Sequence, residues 1–180
     1  MTPGRLHTLG ARAAERNLNR AVMLEAVIFQ MTWPGCPTIY YGDEAGLCGW
    51  TDPDNRRPYP WGAEDAELLD FHRDMIRLRG KYRAFRDGSL EYLYTNYGVL
   101  TYGRWDENDR LVVALNNNTT AETLRIPVWK IGCHPEGKLE TLISASGDGY
   151  ALGGKVYPVA DGYVVVDMPA FGAVVMREVA

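Results

Sequence analysis

One predicted strand lies between two predicted helices in the first half of the chain, and such a unit cannot fold alone. Residues 12–32 predict a helix, residues 38–41 (TIYY) a short buried strand, and residues 63–81 a second helix. A single strand has no partner for its backbone hydrogen bonds, and a stable sheet needs several paired strands. Residues 1–82 therefore predict the end of a larger unit. Helix, strand, loop and helix in this order are typical of a (β/α) barrel.

The two predicted helices differ in how many of their sides are apolar. Between residues 21 and 29 (AVMLEAVIF) only Glu25 is charged, so the first helix is expected to be covered on nearly all sides. The second helix has one apolar face, and acidic residues in its first turn and basic residues in its last turn suit the helix dipole. That face consists of Leu68, Phe71, Met75, Leu78 and Tyr82.

After residue 85 the pattern changes to short strands separated by Gly, Asn and Asp. The predicted strands are residues 90–94, 99–105, 111–115, 123–126, 139–143, 163–167 and 173–177. Short strands with turn residues between them are typical of an antiparallel sandwich. The predicted fold class is therefore α+β: a remnant of a (β/α)8 barrel over residues 1–84, followed by an antiparallel β-sandwich domain over residues 85–180.

Composition and charge exclude several classes of protein. The chain has 180 residues, 46% of them hydrophobic, and a net charge of −4, which argue against a disordered chain and against nucleic acid as a partner. No apolar run approaches the ~18 residues of a membrane helix, and no leader is visible, so a cytoplasmic location is expected. Cys36, Cys48 and Cys133 have no metal-ligand spacing with the histidines. Free thiols, and no metal or cofactor, are predicted.

A long motif connects the end of the first half to a known family. Residues 29–61, FQMTWPGCPTIYYGDEAGLCGWTDPDNRRPYPW, closely resemble the end of the catalytic barrel in the α-amylase family of glycoside hydrolases. The combination of PG-x-P-x-IYYGDE with DP-x-NRRP-x-PW is most similar to the neopullulanase, cyclomaltodextrinase and maltogenic amylase branch. The resemblance implies that residues 38–41 are the eighth barrel strand and residues 64–82 the eighth helix. It also implies an α-glucan substrate such as starch, maltodextrin, pullulan or cyclodextrin.

The same resemblance places the catalytic carboxylates outside this sequence. Retaining glycosidases need a nucleophile and an acid about 5 Å apart, and in the family both lie on earlier strands. Residues 2–9 (TPGRLHTL) fit the stretch that follows a His-Asp pair of the family, so the chain is expected to begin just past the last catalytic residue. Asp43 and Glu44 are adjacent at a strand end, where their side chains diverge, so a structural role is expected for them. No catalytic residue is assigned.

Substrate contacts are predicted in the loop after residue 42. Asp52 and Arg56 of the DPDNR motif match a family pair that lines the donor subsites, since a carboxylate accepts from sugar hydroxyls and a guanidinium donates to them. Trp50 lies in the same loop and is a candidate for stacking on a sugar ring. The other tryptophans are expected to pack in the protein: Trp33, Trp61, Trp105 and Trp129.

Two functional hypotheses remain open from the sequence. In the first, the chain is the C-terminal part of an α-glucan hydrolase and is inactive alone. In the second, it is a stand-alone binding or assembly module that has lost catalysis. A homo-oligomer is expected if the barrel remnant in residues 12–41 is uncovered, because apolar surface of that extent is rarely left exposed. The alternative is that residues 12–41 fold back on the sandwich and leave a monomer.

Overall fold

The computed structural model describes residues 19–49 and 51–179. They form two compact units: a loop unit of Asn19 and Pro37–Asp74, and a sheet unit of Arg20–Cys36 and residues 75–179. The α+β class is confirmed, with strands predominating. The motif at residues 2–9, the start of the helix predicted at residues 12–32, and Trp50 lie outside the described residues.

Nine antiparallel strands lie in the described part of the sheet unit. They are β1 (Ser89–Asn96), β2 (Val99–Trp105), β3 (Arg110–Asn116), β4 (Glu122–Pro127), β5 (Lys138–Ser146), β6 (Gly149–Leu152), β7 (Val156–Ala160), β8 (Tyr163–Met168) and β9 (Gly172–Val179). All seven predicted strands are confirmed, whereas β6 and β7 were not predicted.

The strands form one continuous sheet, where two separate sheets of a sandwich were expected. Neighbours follow the order β1-β2-β3-β9-β5-β7-β8-β4, with β6 paired to β5. A short ladder between β5 and β7, from Lys138↔Pro158 to Glu140↔Val156, joins the two halves of this path. The two end strands, β1 and β4, contact each other, so the antiparallel sheet is nearly closed.

The inside of this sheet is the main hydrophobic core. Strands β5 and β8 alternate buried and more exposed residues, as expected where one face is apolar. The central strands β3 and β9 are instead buried along most of their length. Val112 and Val174 belong to the core inside the sheet, whereas Val113 and Val175 are buried outside that cluster, on the opposite face.

A helix, α1 (Arg20–Thr32), covers that outer face. It contacts β3, β5, β6 and β9, and seven of its 13 residues are buried, Leu24 and Ile28 completely. The nearly all-apolar run predicted a helix covered on most sides, and the sheet provides this cover. For the described residues 20–32 this cover matches the folding-back that the sequence left as an alternative, whereas residues 37–41 belong to the loop unit.

Two arginines, one buried and one half-buried, bind the C-terminal end of α1. Arg104 on β2 is fully buried, and its Nη1 donates to the Thr32 carbonyl at 2.6 Å. Its Nη2 and Nε donate to the carbonyls of Gly88 and Ser89 at 3.0 and 3.2 Å. Arg79 donates to the Met31 carbonyl at 2.7 Å. The last carbonyls of a helix have no partner within the helix and carry partial negative charge, so two cations satisfy them here.

The other α-helices in the described ranges are α2 (Ala66–Lys81) and the short α3 (Ala84–Asp87). Helix α2 was predicted to begin at residue 63, but it begins later because Asp65 caps it: the Leu68 N–H donates to Asp65 Oδ1 at 3.0 Å. Its predicted apolar face is confirmed, with Leu68, Phe71 and Met75 buried. None of the described helices has the length and apolar content required to cross a bilayer.

The strand predicted at residues 38–41 is wrong. This segment makes no sheet ladder in the described part of the chain, and Tyr40 and Tyr41 are about half exposed. The aromatic and β-branched run suits a buried strand, but a strand is stable only when another pairs with it. The hydroxyls of both tyrosines bond to a neighbouring loop instead, as described below.

Candidate functional site

The candidate site is the long loop of the loop unit, and it is built around two short 3-10 turns. The first turn is Asp43–Ala45 and the second is Asp54–Arg56. The Tyr41 hydroxyl donates to the Arg57 carbonyl at 3.0 Å, and that of Tyr40 to the Asn55 carbonyl at 3.5 Å. The two tyrosines therefore hold the second turn by its backbone.

A close backbone approach fixes the same turn from another side. A Cβ added to Gly49 would lie 2.8 Å from the Asn55 Cα and 3.1 Å from the Asp54 carbonyl oxygen. Only glycine permits this approach without displacement of the turn. Together these contacts give the loop a defined conformation although its described residues make no sheet ladder.

The second turn brings the predicted sugar-binding pair together. Arg56 Nη2 lies 2.5 Å from Asp52 Oδ1, and both side chains are more than half exposed (61% and 65%). The turn is closed by the Asp54 N–H bonded to the Thr51 carbonyl and the Arg56 N–H bonded to the Pro53 carbonyl. The Asp52–Pro53 peptide is cis. An exposed ion pair contributes little to stability, so the pair is not needed to hold the fold together. Its carboxylate and guanidinium lie side by side at the surface, where a ligand can reach both.

Asp43 and Glu44 lie on the first turn, and their environment differs from that of Asp52. Glu44 Oε2 accepts from the Gly42 N–H at 2.9 Å, so this carboxylate folds back onto its own backbone. Burial raises the pKa of Asp43; the charge of Glu44 adds to the rise, and His72 opposes it. His72 is buried and its Nδ1 bonds the Leu68 carbonyl at 2.8 Å. The contacts of Glu44 support the expected structural role.

The tryptophans do not all behave as expected. Trp33 is half-buried and packs against Phe29 and Tyr102, as expected. Its ring centroid lies 4.8 Å from that of Phe29 and 5.2 Å from that of Tyr102. Trp105 packs partly buried against the core. Trp61 and Trp129 were expected to pack but are 84% and 54% exposed. Trp61 contacts Tyr59 at 4.5 Å, so its ring rests on another loop residue and leaves most of its surface open.

A small hollow of about 160 Å³ lies between the two turns. Tyr40, Tyr41, Asp43 and Asp54 are among the residues that line it. Hydroxyl, carboxylate and guanidinium groups in this loop are suited to hydrogen bonds with a polyhydroxylated ligand. In the described ranges no group of His, Cys, Asp and Glu is placed to hold a metal ion.

Comparison with known proteins identifies the relatives of this chain. No family model matches it. It is 34% identical to an amylopullulanase of Thermoanaerobacter thermohydrosulfuricus over 186 residues, which span 96% of this chain and 12% of that protein. It is 40% identical to a cyclomaltodextrinase of a Bacillus species over 104 residues, 56% of this chain and 19% of that protein. The chain thus spans less than a fifth of the length of these relatives.

A solved structure shows the same fold. The α-amylase of Geobacillus thermoleovorans in complex with acarbose superposes with a TM-score of 0.77, at 22% identity, over 92% of this chain and 34% of that one. At this identity the likeness concerns the fold alone. Taken with the sequence matches over nearly the whole chain, it shows that the chain is homologous to a C-terminal part of α-amylase-family enzymes.

Proposed function

We propose that this chain is the C-terminal part of an α-amylase-like glycoside hydrolase acting on α-glucans. The observation that carries the proposal is the 34% identity to an amylopullulanase over 96% of the chain. Starch, maltodextrin, pullulan and cyclodextrin are the substrate class that the matched enzymes suggest. In this proposal residues 1–84 are the end of the catalytic barrel and residues 85–180 the all-β domain that follows it.

Asp52 and Arg56 bind sugar hydroxyls in the intact enzyme under this proposal. Their exposed heads lie 2.5 Å apart, so the pair is already oriented before a ligand arrives. A sugar with vicinal hydroxyls can donate to the carboxylate and accept from the guanidinium at once. Trp50 completes the proposed contact set by stacking.

The isolated chain is proposed to be inactive, because retaining hydrolysis requires two carboxyl groups about 5 Å apart across the scissile bond. Asp43 and Glu44 are adjacent acids within the family-like motif, but Glu44 is bound to the Gly42 N–H. A structural role for this pair fits the contact of Glu44 better than a role as acid and nucleophile.

The test compares the isolated chain with the longest reading frame that contains it. Both are assayed on maltodextrin, pullulan and cyclodextrin, and only the longer enzyme is expected to hydrolyse them. In the longer enzyme, Asp52→Asn and Arg56→Gln should raise KM about tenfold, since each removes a charged hydrogen bond to substrate. Exposed Arg83→Gln is the matched control and should change nothing. Hydrolysis by the purified isolated chain, or normal KM in both loop variants, would overturn the proposal.

Self-association is a further part of the proposal. The sheet covers α1, so an uncovered apolar helix is no longer a reason for self-association. The exposed aromatic side chains of the loop unit remain one: Tyr40, Tyr41 and Trp61. Light scattering at tens of micromolar should give a mass above the 20.2 kDa of one chain. A monodisperse 20.2 kDa species would instead favour the folded-back monomer.

A further inference from the structure

The sheet unit contains a cleft at the point where β5 changes its neighbour. The first residues of β5 pair with β7, up to Glu140↔Val156, whereas its last residues pair with β6, from Ile143↔Leu152 to Ser146↔Gly149. Because β6 pairs only with β5 among the described strands, a wedge opens between this hairpin and the end of β8. The wedge encloses about 340 Å³, which is within the range of small-molecule sites.

The lining of this cleft is polar, aromatic and acidic. Strands β5 to β8 and the β5–β6 turn each contribute a hydroxyl or a carboxylate, and no lysine, arginine or histidine is among the described residues that line it. The polar side chains are Ser144, Ser146, Asp148, Tyr150, Tyr157 and Asp167. Two carboxylates without a lining cation disfavour phosphates and other anions, and Lys155 lies 4.6 Å from the centroid of the lining Tyr157 ring, so a neutral ligand suits this cleft.

Several of these side chains are held in place. The Thr123 hydroxyl donates to Asp167 Oδ1 at 2.8 Å, and the Asp148 N–H donates to Ser146 Oγ at 3.3 Å. Tyr157 is 8% exposed, and burial together with the charge of Asp167 raises the pKa of its hydroxyl. Ser146, Tyr157 and Asp167 are therefore positioned by contacts within the sheet unit.

We propose that this cleft binds an α-glucan oligosaccharide at a second site, in the sheet unit. Carboxylates accept hydrogen bonds from sugar hydroxyls, and serine and tyrosine hydroxyls both donate and accept. The half-buried Tyr150 ring offers a packing surface for the apolar face of a sugar, whereas the Tyr157 ring is buried under Lys155. The ligand class rests on the proposed function, whereas the site itself rests on the cleft. A sheet-unit site would hold the polymer without taking part in hydrolysis.

The experiment is an NMR titration of the ¹⁵N-labelled 180-residue chain with maltotriose. Amide shifts are expected at residues 144–150 and at residues 167 and 168. Tyr150→Ala and Asp167→Asn should each weaken binding about fivefold or more, because each removes a packing surface or a charged acceptor. Tyr97→Ala is the matched control: this tyrosine of the same unit is 91% exposed and does not line the cleft. It should bind maltotriose like the unmodified chain.

Other outcomes overturn the inference. The cleft does not bind sugar if maltotriose shifts no amide at residues 144–150. If calcium chloride shifts these amides and maltotriose does not, the cleft is a cation site instead. Shifts confined to residues 40–57 would assign binding to the loop and also reject the cleft. This failure is distinct from failure of the proposed function, which is decided by hydrolysis and KM in the longer enzyme.

Discussion

The sheet unit and the loop unit are stabilised in different ways. The sheet unit is held by long ladders, a closed hydrophobic core and a buried arginine bound to three carbonyls. The loop unit around the Asp52–Arg56 pair is held by single contacts, such as a tyrosine hydroxyl on a carbonyl and a glycine against a backbone. The comparison indicates that global stability belongs to the sheet unit, whereas the candidate sugar-binding pair depends on a few local bonds.

The largest effect is expected from Arg104→Met. This change leaves the carbonyls of Thr32, Gly88 and Ser89 without their buried donor, so the free energy of unfolding should fall by about 3 kcal/mol. Denaturant unfolding followed by circular dichroism measures it. Arg125→Met is the control, because Arg125 is an exposed residue of β4 that contacts the Tyr163 ring, and it should cost less than about 1 kcal/mol. Equal losses in both variants would contradict the assigned role of Arg104.

A medium effect is expected in the loop unit alone. Trypsin should cut first in residues 42–62, because long exposed loops are preferred sites of nicking. Gly49→Ala should speed that cut about threefold, since its Cβ would meet Asn55 and displace the second turn, while the unfolding of the sheet stays unchanged. Gly80→Ala has open space around the new Cβ and should not speed it. First cuts within β3 would reverse the comparison between the two units.

The smallest effect is expected from Glu25→Gln. Glu25 is 5% exposed and accepts from Asn117 Nδ2 at 2.9 Å, and burial raises its pKa. A raised folded-state pKa means that the unfolding free energy is greatest below the unfolded pKa and falls as pH rises through the folded value.

Glutamine keeps an acceptor for Asn117 and does not ionise, so the fall in unfolding free energy with rising pH is removed. The variant should therefore be more stable than the unmodified chain at pH 7, by less than about 1.5 kcal/mol. At pH 4 the advantage should shrink, which denaturant unfolding at both pH values will show. An advantage that grows as the pH falls would contradict the assignment.

Sequence patterns predicted the strands of the sheet where each run carried its own signal. The unpredicted β7 contains Pro158, which weakens a strand pattern, and β6 is only four residues long with glycine at its start. Residues 38–41 show the opposite error, because a strand was predicted there and the structure has none. Their composition suits a strand, but strand pairing depends on residues distant in sequence. The continuous sheet could not be predicted either, because the three-pair ladder of β5 with β7 leaves no local signature.

Of the functional and structural residues, only some were predicted from the sequence, among them the loop pair. Asp52 and Arg56 came from a resemblance, and the structure places them in contact, although their role stays a proposal. The structural roles of Arg104 and Glu25 were not predicted, because the residue type alone does not show whether a charged side chain is buried or exposed. The cleft beside β6 was also missed, since it arises from a change of strand partner.

The bonds of Arg104 have an evolutionary consequence. Its guanidinium donates hydrogen bonds to main-chain oxygens of residues 32, 88 and 89, which every amino acid carries. Replacement of the Ser89 side chain therefore leaves its bond to Arg104 in place, whereas replacement of Arg104 removes all three at once. Mutational tolerance around this contact is asymmetric. A complete substitution scan should find that position 104 tolerates almost no replacement, whereas position 89 tolerates many.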